Sequence, residues 1–402
     1  MAIIMDGMYI QDIIQNDIPL TELWCNGVKV WPENKDITYM WIIPEEDVTI
    51  SYVVKDTGGS PATSVTKDLL YSFDASTWNS LTSNGISVSA KTVLYFKSNT
   101  TDGFGVYETN PTAWQYKGIR VQNSSQAYGN YIVGGNMNSL FNGSLSVPAR
   151  GLAYFFGGEW GMKTARLVLP MTTLGEGCYF RMFKDCQNLT SAPALPATTL
   201  ADSCYYYMFS GCIRLANAPT SLPATSLSVN CYNLMFENCA ITKGPSLPAT
   251  SLAVSCYAHM FYGCGKLRNA PSLPATTMEA SCYSEMFRGC SSLTTAPALP
   301  ATTLAPNCYD NIFNRCSSLM EVPELPATVM QSSCYYGMFN KCSALKFSTT
   351  QTAECPNAYR IPVSGSGTTA TDWNKFMFNE TGGTFTGNPT IDTTYYTNAT
   401  VV

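Results

Sequence analysis

Cysteine is the residue whose spacing first suggests chemistry, because thiolates bind metals and thiols pair as disulfides. Fourteen of the 16 cysteines fall in pairs whose members are eight residues apart: 178/186, 204/212, 231/239, 256/264, 282/290, 308/316 and 334/342. On a helix that spacing separates the two residues by about 12 Å. A disulfide needs Cα atoms about 4.4–6.8 Å apart, so no bond is expected within a pair.

Disulfides between pairs and metal binding by the cysteines are also disfavoured. Neighbouring helices pack about 8–10 Å apart, which disfavours disulfides between pairs. The spacing C-x7-C on one apolar face does not converge on a tetrahedral metal site. We therefore predict buried thiols that act as small hydrophobic side chains, and no metal.

Nothing else in the chain resembles a catalytic centre. His259 is the only histidine, so serine- and cysteine-nucleophile systems with a histidine base are excluded, and His259 itself is expected to be surface variation. No phosphate-binding loop occurs, and the GSG at 365–367 is interpreted as a flexible turn. Glu45, Glu46 and Asp47 follow a proline and predict a solvated loop rather than a glycosidase pair. We predict no enzyme activity and no cofactor.

The cysteine pairs advance along the chain by 25–27 residues, which makes a repeat of seven units. With the first cysteine as position 0, the units share Cys, Tyr, Met or Ile, Phe and Cys at positions 0, 1, 4, 5 and 8. At about 100° per residue these project into one arc of about 140°, which predicts a two-turn amphipathic helix. The Thr- and Pro-rich remainder predicts one short strand per unit. Stacking of the units is expected to form the core.

The repeat resembles a known family. MFRGC at 286–290, followed by LT at 293–294, resembles the AFxGCxxLT signature of BspA-like leucine-rich repeats. LPATTL at 299–304 takes the place of that family's IPxSVT strand and turn. The Cys-Tyr pair before Met-Phe departs from the usual pattern and resembles a subgroup common in gut Bacteroidales and their phages. Over about 165–347 this resemblance implies a leucine-rich-repeat solenoid used in adhesion or recognition.

The part before the repeats has a β-type pattern. Two alternating runs around Asn26 and Gly27 predict a hairpin, and the opening MDGMYIQDII with this hairpin resembles the amino ends of phage virion proteins, where such a module docks to the particle. Between 44 and 164, β-type runs separated by turn clusters predict an antiparallel sandwich. GNMNSLFNG at 135–143 also resembles a motif that precedes the repeats in the phage subgroup.

The predicted fold class is therefore mixed β and α/β. It comprises a β docking module at 1–43, a β-sandwich at 44–164, a solenoid of about seven 26-residue units at 165–347, and a carboxyl-terminal cap and tail at 348–402. Only 13% of residues are charged and the net charge is −5, which argues against a nucleic-acid partner. No apolar run approaches the about 20 residues that span a bilayer, so no membrane partner is expected. The first residues lack the basic region of a secretory signal.

Positions 2, 3 and 6 of the predicted helix vary between units and should face solvent. Aromatic residues in these slots are our candidate ligand-binding residues: Phe180, Tyr206, Tyr207, Tyr262 and Tyr336. Alternatively, these rings fill gaps between neighbouring helices. A second candidate surface lies on the strand side: Gln187, Asn188, Arg214, Lys266, Arg268 and Glu321.

Three functions fit these observations. The first is a non-enzymatic virion-associated protein of the tail or head, oligomeric on the particle. It would bind other virion proteins through 1–43 and a host surface glycan or protein through the repeats. The second is a bacterial cell-surface adhesin with the same repeats, which would require export. The third is a purely structural decoration protein of the virion.

Overall fold

The computed structural model describes residues 38–56, 68–107, 114–361, 370–391 and 393–402, and the backbone of two short strands before them. The strands are β1 (Leu23–Cys25), β2 (Val28–Trp31), β3 (Met40–Pro44), β4 (Val48–Asp56), β5 (Leu70–Ser72), β6 (Asn79–Ser80), β7 (Ile86–Val88), β8 (Leu94–Lys97), β9 (Gly105–Tyr107), β10 (Trp114–Asn123), β11 (Tyr131–Asn136), β12 (Ser146–Val147), β13 (Met162–Val168), β14 (Thr173–Leu174), β15 (Glu321–Val322), β16 (Lys346–Ser348), β17 (Asn357–Arg360), β18 (Gly382–Gly383), β19 (Thr394–Thr397) and β20 (Thr400–Val401). A 3-10 helix spans Met137–Phe141, and the described residues contain no α-helix.

A hairpin and two sheets precede the repeats. β1 and β2 pair antiparallel with Cys25 opposite Val28, where Asn26 and Gly27 predict the hairpin. The order β7-β4-β10-β9 forms one sheet and β13-β11-β3-β8-β5-β6 the other. The predicted antiparallel arrangement is wrong at two pairs, because β11 runs parallel to β13 and β12 runs parallel to β14. The boundaries predicted at 43 and 164 fall inside β3 and β13.

The mixed α/β fold class is wrong, because the repeats contain no helices and do not build the predicted solenoid of helix–strand units. Backbone amides of the cysteine-bearing segment alternate between two acceptors. The amide of Tyr283 donates to the carbonyl of Cys308 in the next repeat, at 3.1 Å, and the amide of Ser284 donates back to Ser281, also at 3.1 Å. Each segment is therefore a run of tight turns, bonded side by side to the next repeat.

Left-handed backbone recurs at every fourth residue of each segment. In one repeat, Ser281, Glu285 and Gly289 have φ of 55°, 52° and 78°. Such residues cannot continue an α-helix, whose φ is near −60°. Positions 0, 1, 4, 5 and 8 recur with a period of four as well as falling on one helical arc. The turns consequently bury the residues expected on the helix face, on a different backbone.

The segment occurs twice more without cysteine. At the amino side Arg150, Tyr154 and Gly158 have positive φ, and the amide of Leu152 donates to Cys178. At the carboxyl side Asp372, Phe376 and Glu380 repeat this φ pattern, and the amide of Tyr335 donates to Trp373. These two copies cover the ends of the cysteine-bearing series, and together with it they form what we call the repeat stack.

The core of the repeat stack consists of aromatic columns. Tyrosines at position 1 lie 5.4–6.0 Å apart from repeat to repeat, measured between ring centroids. Phenylalanines at position 5 lie 5.3–5.9 Å apart. Facing rings are nearly parallel, within 10°. Each column is continuous across the repeats, so burial of one ring depends on its neighbours above and below.

The end of the chain returns to the repeats. β20 pairs parallel with β15, which places Thr400 beside Glu321. A further sheet has the order β17-β19-β16-β18, and Phe347 of β16 stacks on Phe378 at 3.9 Å between centroids. The region predicted as a cap and tail therefore contacts the last repeats directly.

Candidate ligand-binding surface

Positions 2, 3 and 6 do not uniformly face solvent as predicted, since Ser284, Asn311 and Asn314, one at each position, are buried. All five candidate residues, Phe180, Tyr206, Tyr207, Tyr262 and Tyr336, are half-buried there. At position 3 the residue has left-handed backbone, as Tyr207 does with φ of 56°. The sequence left open whether these rings face solvent or fill gaps between repeats. Each ring does both in part, because it contacts protein and retains an accessible surface.

Three of the candidates come together around Arg181. The Phe180 and Tyr206 ring centroids are 5.6 Å apart, and those of Tyr206 and Tyr207 are 4.5 Å apart. The Arg181 guanidinium lies 4.7 Å from the Phe180 ring, 4.8 Å from that of Tyr207 and 5.5 Å from that of Tyr154. Its Nη1 donates to the Tyr154 hydroxyl at 2.7 Å. We call these five residues the Arg181 cluster.

The Arg181 cluster continues onto the sheets before the repeats. Tyr116 of β10 stacks on Tyr154 at 5.2 Å, and burial raises the pKa of its hydroxyl to about 12. Arg150 lies 4.9 Å from the Phe180 ring and pairs with the Glu176 carboxylate at 3.2 Å. The pKa of Tyr207 is likewise raised to about 12 by burial and by Tyr206. These phenols are neutral donors at physiological pH.

Tyr262 belongs to a separate, charged group. Its ring lies 5.5 Å from the Arg288 guanidinium and 6.1 Å from the His259 ring. Glu285 joins both, with an oxygen 2.7 Å from Arg288 Nη1 and 3.7 Å from His259 Nε2. Burial lowers the pKa of His259, against the opposing effect of Glu285. Burial and the Glu285 charge raise the pKa of Asp310 to about 6.

Tyr336 lies at the carboxyl end of the repeat stack. Its ring meets that of Phe376 edge-on at 5.5 Å, and Phe376 is 39% exposed. The five candidates therefore occupy three places, and only the one around Arg181 combines several of them.

The strand-side residues form a more open surface. Arg214, Lys266 and Arg268 are exposed, whereas Gln187, Asn188 and Glu321 are half-buried. Arg268 lines a shallow cavity of about 710 Å³ between two successive repeats, together with prolines, alanines and the polar residues Asn269 and Thr294. No aromatic ring lines this cavity among the residues that the structure describes.

The cysteines with described side chains show no catalytic or metal-binding arrangement. All fifteen are buried, and none of them is joined in a disulfide. Burial raises the pKa of Cys264 and Cys342 to about 12, so these thiols are neutral. Across the described ranges, no group of three or more His, Cys, Asp or Glu side chains could hold a metal ion. The two cysteines of a pair lie on turns, so the separation of about 12 Å expected on a helix does not apply to them.

Several surface aromatics were missed by sequence reasoning. Tyr154 and Arg181 complete the Arg181 cluster, and Trp160 stacks on Tyr128 at 5.2 Å with 46% of its surface exposed. Tyr154 and Trp160 lie in or beside the amino-side copy, which has no cysteine and so was not recognised. The Phe155-Phe156 pair, one repeat length before the Met-Phe pair of the first cysteine-bearing unit, was the available signal.

No match for this chain was found among protein-family models, curated proteins or solved structures. Within the described residues, no helix has the length and apolar character needed to cross a membrane. Residues 1–22 and the GSG at 365–367 lie outside the described residues.

Proposed function

We propose that this chain is a non-enzymatic, virion-associated recognition protein of a phage, which contacts a host surface glycan or protein through the outer side of its repeat stack. The observation that carries this proposal is the Arg181 cluster. It gathers three aromatic rings around one cation on the outer side of the turns, and a fourth ring, that of Tyr206, packs against two of them. Aromatic residues and arginine are the residue types most enriched at binding hot spots.

The rigidity of the repeat stack supports this function. Every second amide of each turn segment is bonded to the next repeat, and the core rings stack continuously. A surface that is ordered before binding loses little conformational entropy when a ligand arrives. Weak contacts at several repeats can then add together against an extended ligand.

The remaining parts of the proposal rest on sequence. We assign residues 1–43 to contacts with other virion proteins, in several copies on the particle, from the resemblance of the amino end. The proposed relation of the repeats to the BspA-like family rests on the MFRGC and LPATTL motifs. The solenoid that this resemblance implied does not support it. The low content of basic residues, 23 Lys and Arg against 28 Asp and Glu, supports the exclusion of nucleic acid.

The test is binding of the full chain to host cells, followed by flow cytometry with labelled protein. The variant Y206S/Y207S removes two rings of the Arg181 cluster, and we expect it to bind at least about 10-fold more weakly. Y396S is the matched control, because Tyr396 is also half-buried but lies on β19 outside the repeat stack. Unchanged binding by Y206S/Y207S would contradict the assigned surface.

Fractionation tests the virion assignment independently. Copurification of the chain with intact particles supports it. Absence from particles together with presence on washed bacterial cells would instead identify the adhesin, and presence on particles without any cell binding would identify the structural decoration protein.

A further inference from the structure

We propose that the Arg181 cluster binds the carboxylate of an acidic saccharide, with Arg181 as the residue that pairs with the negative charge. This inference rests on the proposed recognition function and names the ligand class of the same surface.

Arg181 differs from the other arginines near surface rings in having no acidic partner. Arg150 pairs with Glu176 at 3.2 Å, and Arg288 pairs with Glu285 at 2.7 Å. Arg181 forms no ion pair with any residue that the structure describes. Glu176 is held by Arg150 and Asp185 by Lys184, and Glu237, whose charge acts on Tyr207, accepts a hydrogen bond from the Ser210 hydroxyl at 2.7 Å.

The hydrogen-bonding capacity of Arg181 is also incompletely used. Its Nη1 donates to Tyr154 and its Nε is buried without an acceptor, as are those of Arg150 and Arg288, whereas its Nη2 donates to no group in the described part of the chain and is the donor left for a ligand. A guanidinium presents donors in a planar fork that matches the two oxygens of a carboxylate. Three rings within 5.5 Å leave the Arg181 side chain half-buried, which lowers the local dielectric and strengthens its attraction for a negative charge.

The surroundings of Arg181 suit a sugar as the carrier of that carboxylate. Tyr206 and Tyr207 are half-buried, so each ring offers an apolar surface and a hydroxyl to the same ligand. A pyranose presents C–H groups on its faces and hydroxyls at its edges, and therefore complements both. One unpaired cation matches the single charge of a uronic acid better than the double charge of a phosphate monoester, because Arg150, the other cation beside Phe180, is held by Glu176. A sulfate ester also carries one charge but spreads it over three tetrahedral oxygens, whereas the planar fork of Arg181 matches the two coplanar oxygens of a carboxylate.

The test is isothermal titration calorimetry of the full chain with oligogalacturonate, with an uncharged galactose oligosaccharide of equal length, and with a sulfated one. We expect binding to oligogalacturonate that weakens as salt is raised, and at least about 10-fold weaker binding to the other two. R181Q should lose about 10- to 100-fold in affinity, because a hydrogen-bonded charge pair is removed. R315Q is the control, since Arg315 is exposed at position 7 of a distant repeat.

R181Q also loses the contacts with three rings, so its fold is checked by thermal melting, and R181K provides a second variant. Lysine keeps the charge without the planar fork, and an affinity between those of wild type and R181Q supports the proposal. Equal affinity for charged and uncharged oligosaccharides, preference for the sulfated one, or full affinity in R181Q would overturn it. If cells bind but oligogalacturonate neither binds nor competes, the acidic-sugar inference fails and the recognition function stands. If oligogalacturonate binds but cells do not, the chain binds an acidic sugar and the proposed recognition of host cells fails.

Discussion

Cys290 donates a hydrogen bond from its thiol to the backbone carbonyl of Phe261, 3.2 Å away in the preceding repeat. The second cysteine of every pair makes the same contact with the phenylalanine one repeat earlier, at 3.0–3.2 Å. The first cysteines lack a short bond of this kind: Cys178 and Cys334 reach a carbonyl of the next copy only at 4.0 and 3.9 Å, and Cys282 points its thiol at the sulfur of Met278, 3.6 Å away. The two cysteines of a repeat therefore have different roles despite equal burial.

This difference predicts unequal costs of mutation. Cys290→Ala should lower the free energy of unfolding by about 0.5–1.5 kcal/mol more than Cys282→Ala, because only the former removes a hydrogen bond between repeats. Both cysteines are fully buried in one repeat, so the loss of buried sulfur is common to the two variants. Urea unfolding of each variant measures the difference. Equal midpoints and slopes would show that the thiol bond contributes nothing.

The second prediction concerns the left-handed backbone at position 7 of the repeats. Arg315 has φ of 64° and is exposed, in a position occupied by Gly263 and Gly289 in other repeats. Because glycine adopts this conformation without steric cost, Arg315→Gly should be about 1 kcal/mol more stable than Arg315→Ala. In an α-helix the order would be reversed by a similar amount.

Arg288 supplies the control for this comparison. It occupies position 6, has no positive φ, and loses its ion pair in either variant. There, Arg288→Ala should be at least as stable as Arg288→Gly. If thermal melting shows the alanine variant to be the more stable one at both positions, the left-handed backbone at Arg315 is wrong and a helix is indicated.

The sequence predicted which residues of the repeats are buried but not the backbone that buries them. Cys, Tyr, Met, Phe and Cys at positions 0, 1, 4, 5 and 8 fit a helix of 3.6 residues per turn and also fit turns of four residues. Nine residues are too few for the two periods to separate. The glycines at positions 7 and 3, such as Gly211, Gly263 and Gly337, and the asparagines at the same kind of position, such as Asn238, were local signs of left-handed backbone.

The candidate surface was predicted in part. Positions 2, 3 and 6 lie outside the aromatic columns on either backbone, so their variable rings could be named from spacing alone. The grouping of Phe180, Tyr206 and Tyr207 around Arg181 could not, because it depends on the distance between repeats. Tyr154 belongs to a copy without cysteine, and the cysteine spacing that revealed the other units passes over it.

Thiol reactivity tests the burial of the cysteines. Because burial raises the pKa of thiols such as Cys256, Cys264 and Cys308 to about 12, the native chain should contain almost no thiolate at pH 8. We expect the described cysteines to react with a disulfide reagent only as fast as the protein unfolds. Denatured but unreduced protein should then expose at least fifteen thiols. Recovery of only two or so would reveal disulfides.

The raised pKa of Asp310 predicts a dependence of stability on pH. Burial and Glu285 raise the pKa of Asp310 to about 6 from its ordinary 3.8. Since the unfolded chain releases this proton first, stability from Asp310 should be lost as pH rises from about 4 to about 6. Allowing for partial solvent screening, the free energy of unfolding of wild type should fall by about 1–2 kcal/mol relative to that of Asp310→Asn. Urea midpoints of both proteins at pH 4 and pH 7 give this value, and a constant difference would refute it.

The division of labour along the chain can be tested by deletion. In the described residues β1 and β2 pair only with each other, whereas β3 is hydrogen-bonded to both β8 and β11. A chain of residues 38–402 keeps β3 and should therefore melt within a few degrees of the full chain. If the amino end docks to the particle, this chain should bind host cells but not cosediment with particles, whereas full-length Y206S/Y207S should do the opposite. Cosedimentation of the shortened chain at the full-length level would remove the docking role from the amino end.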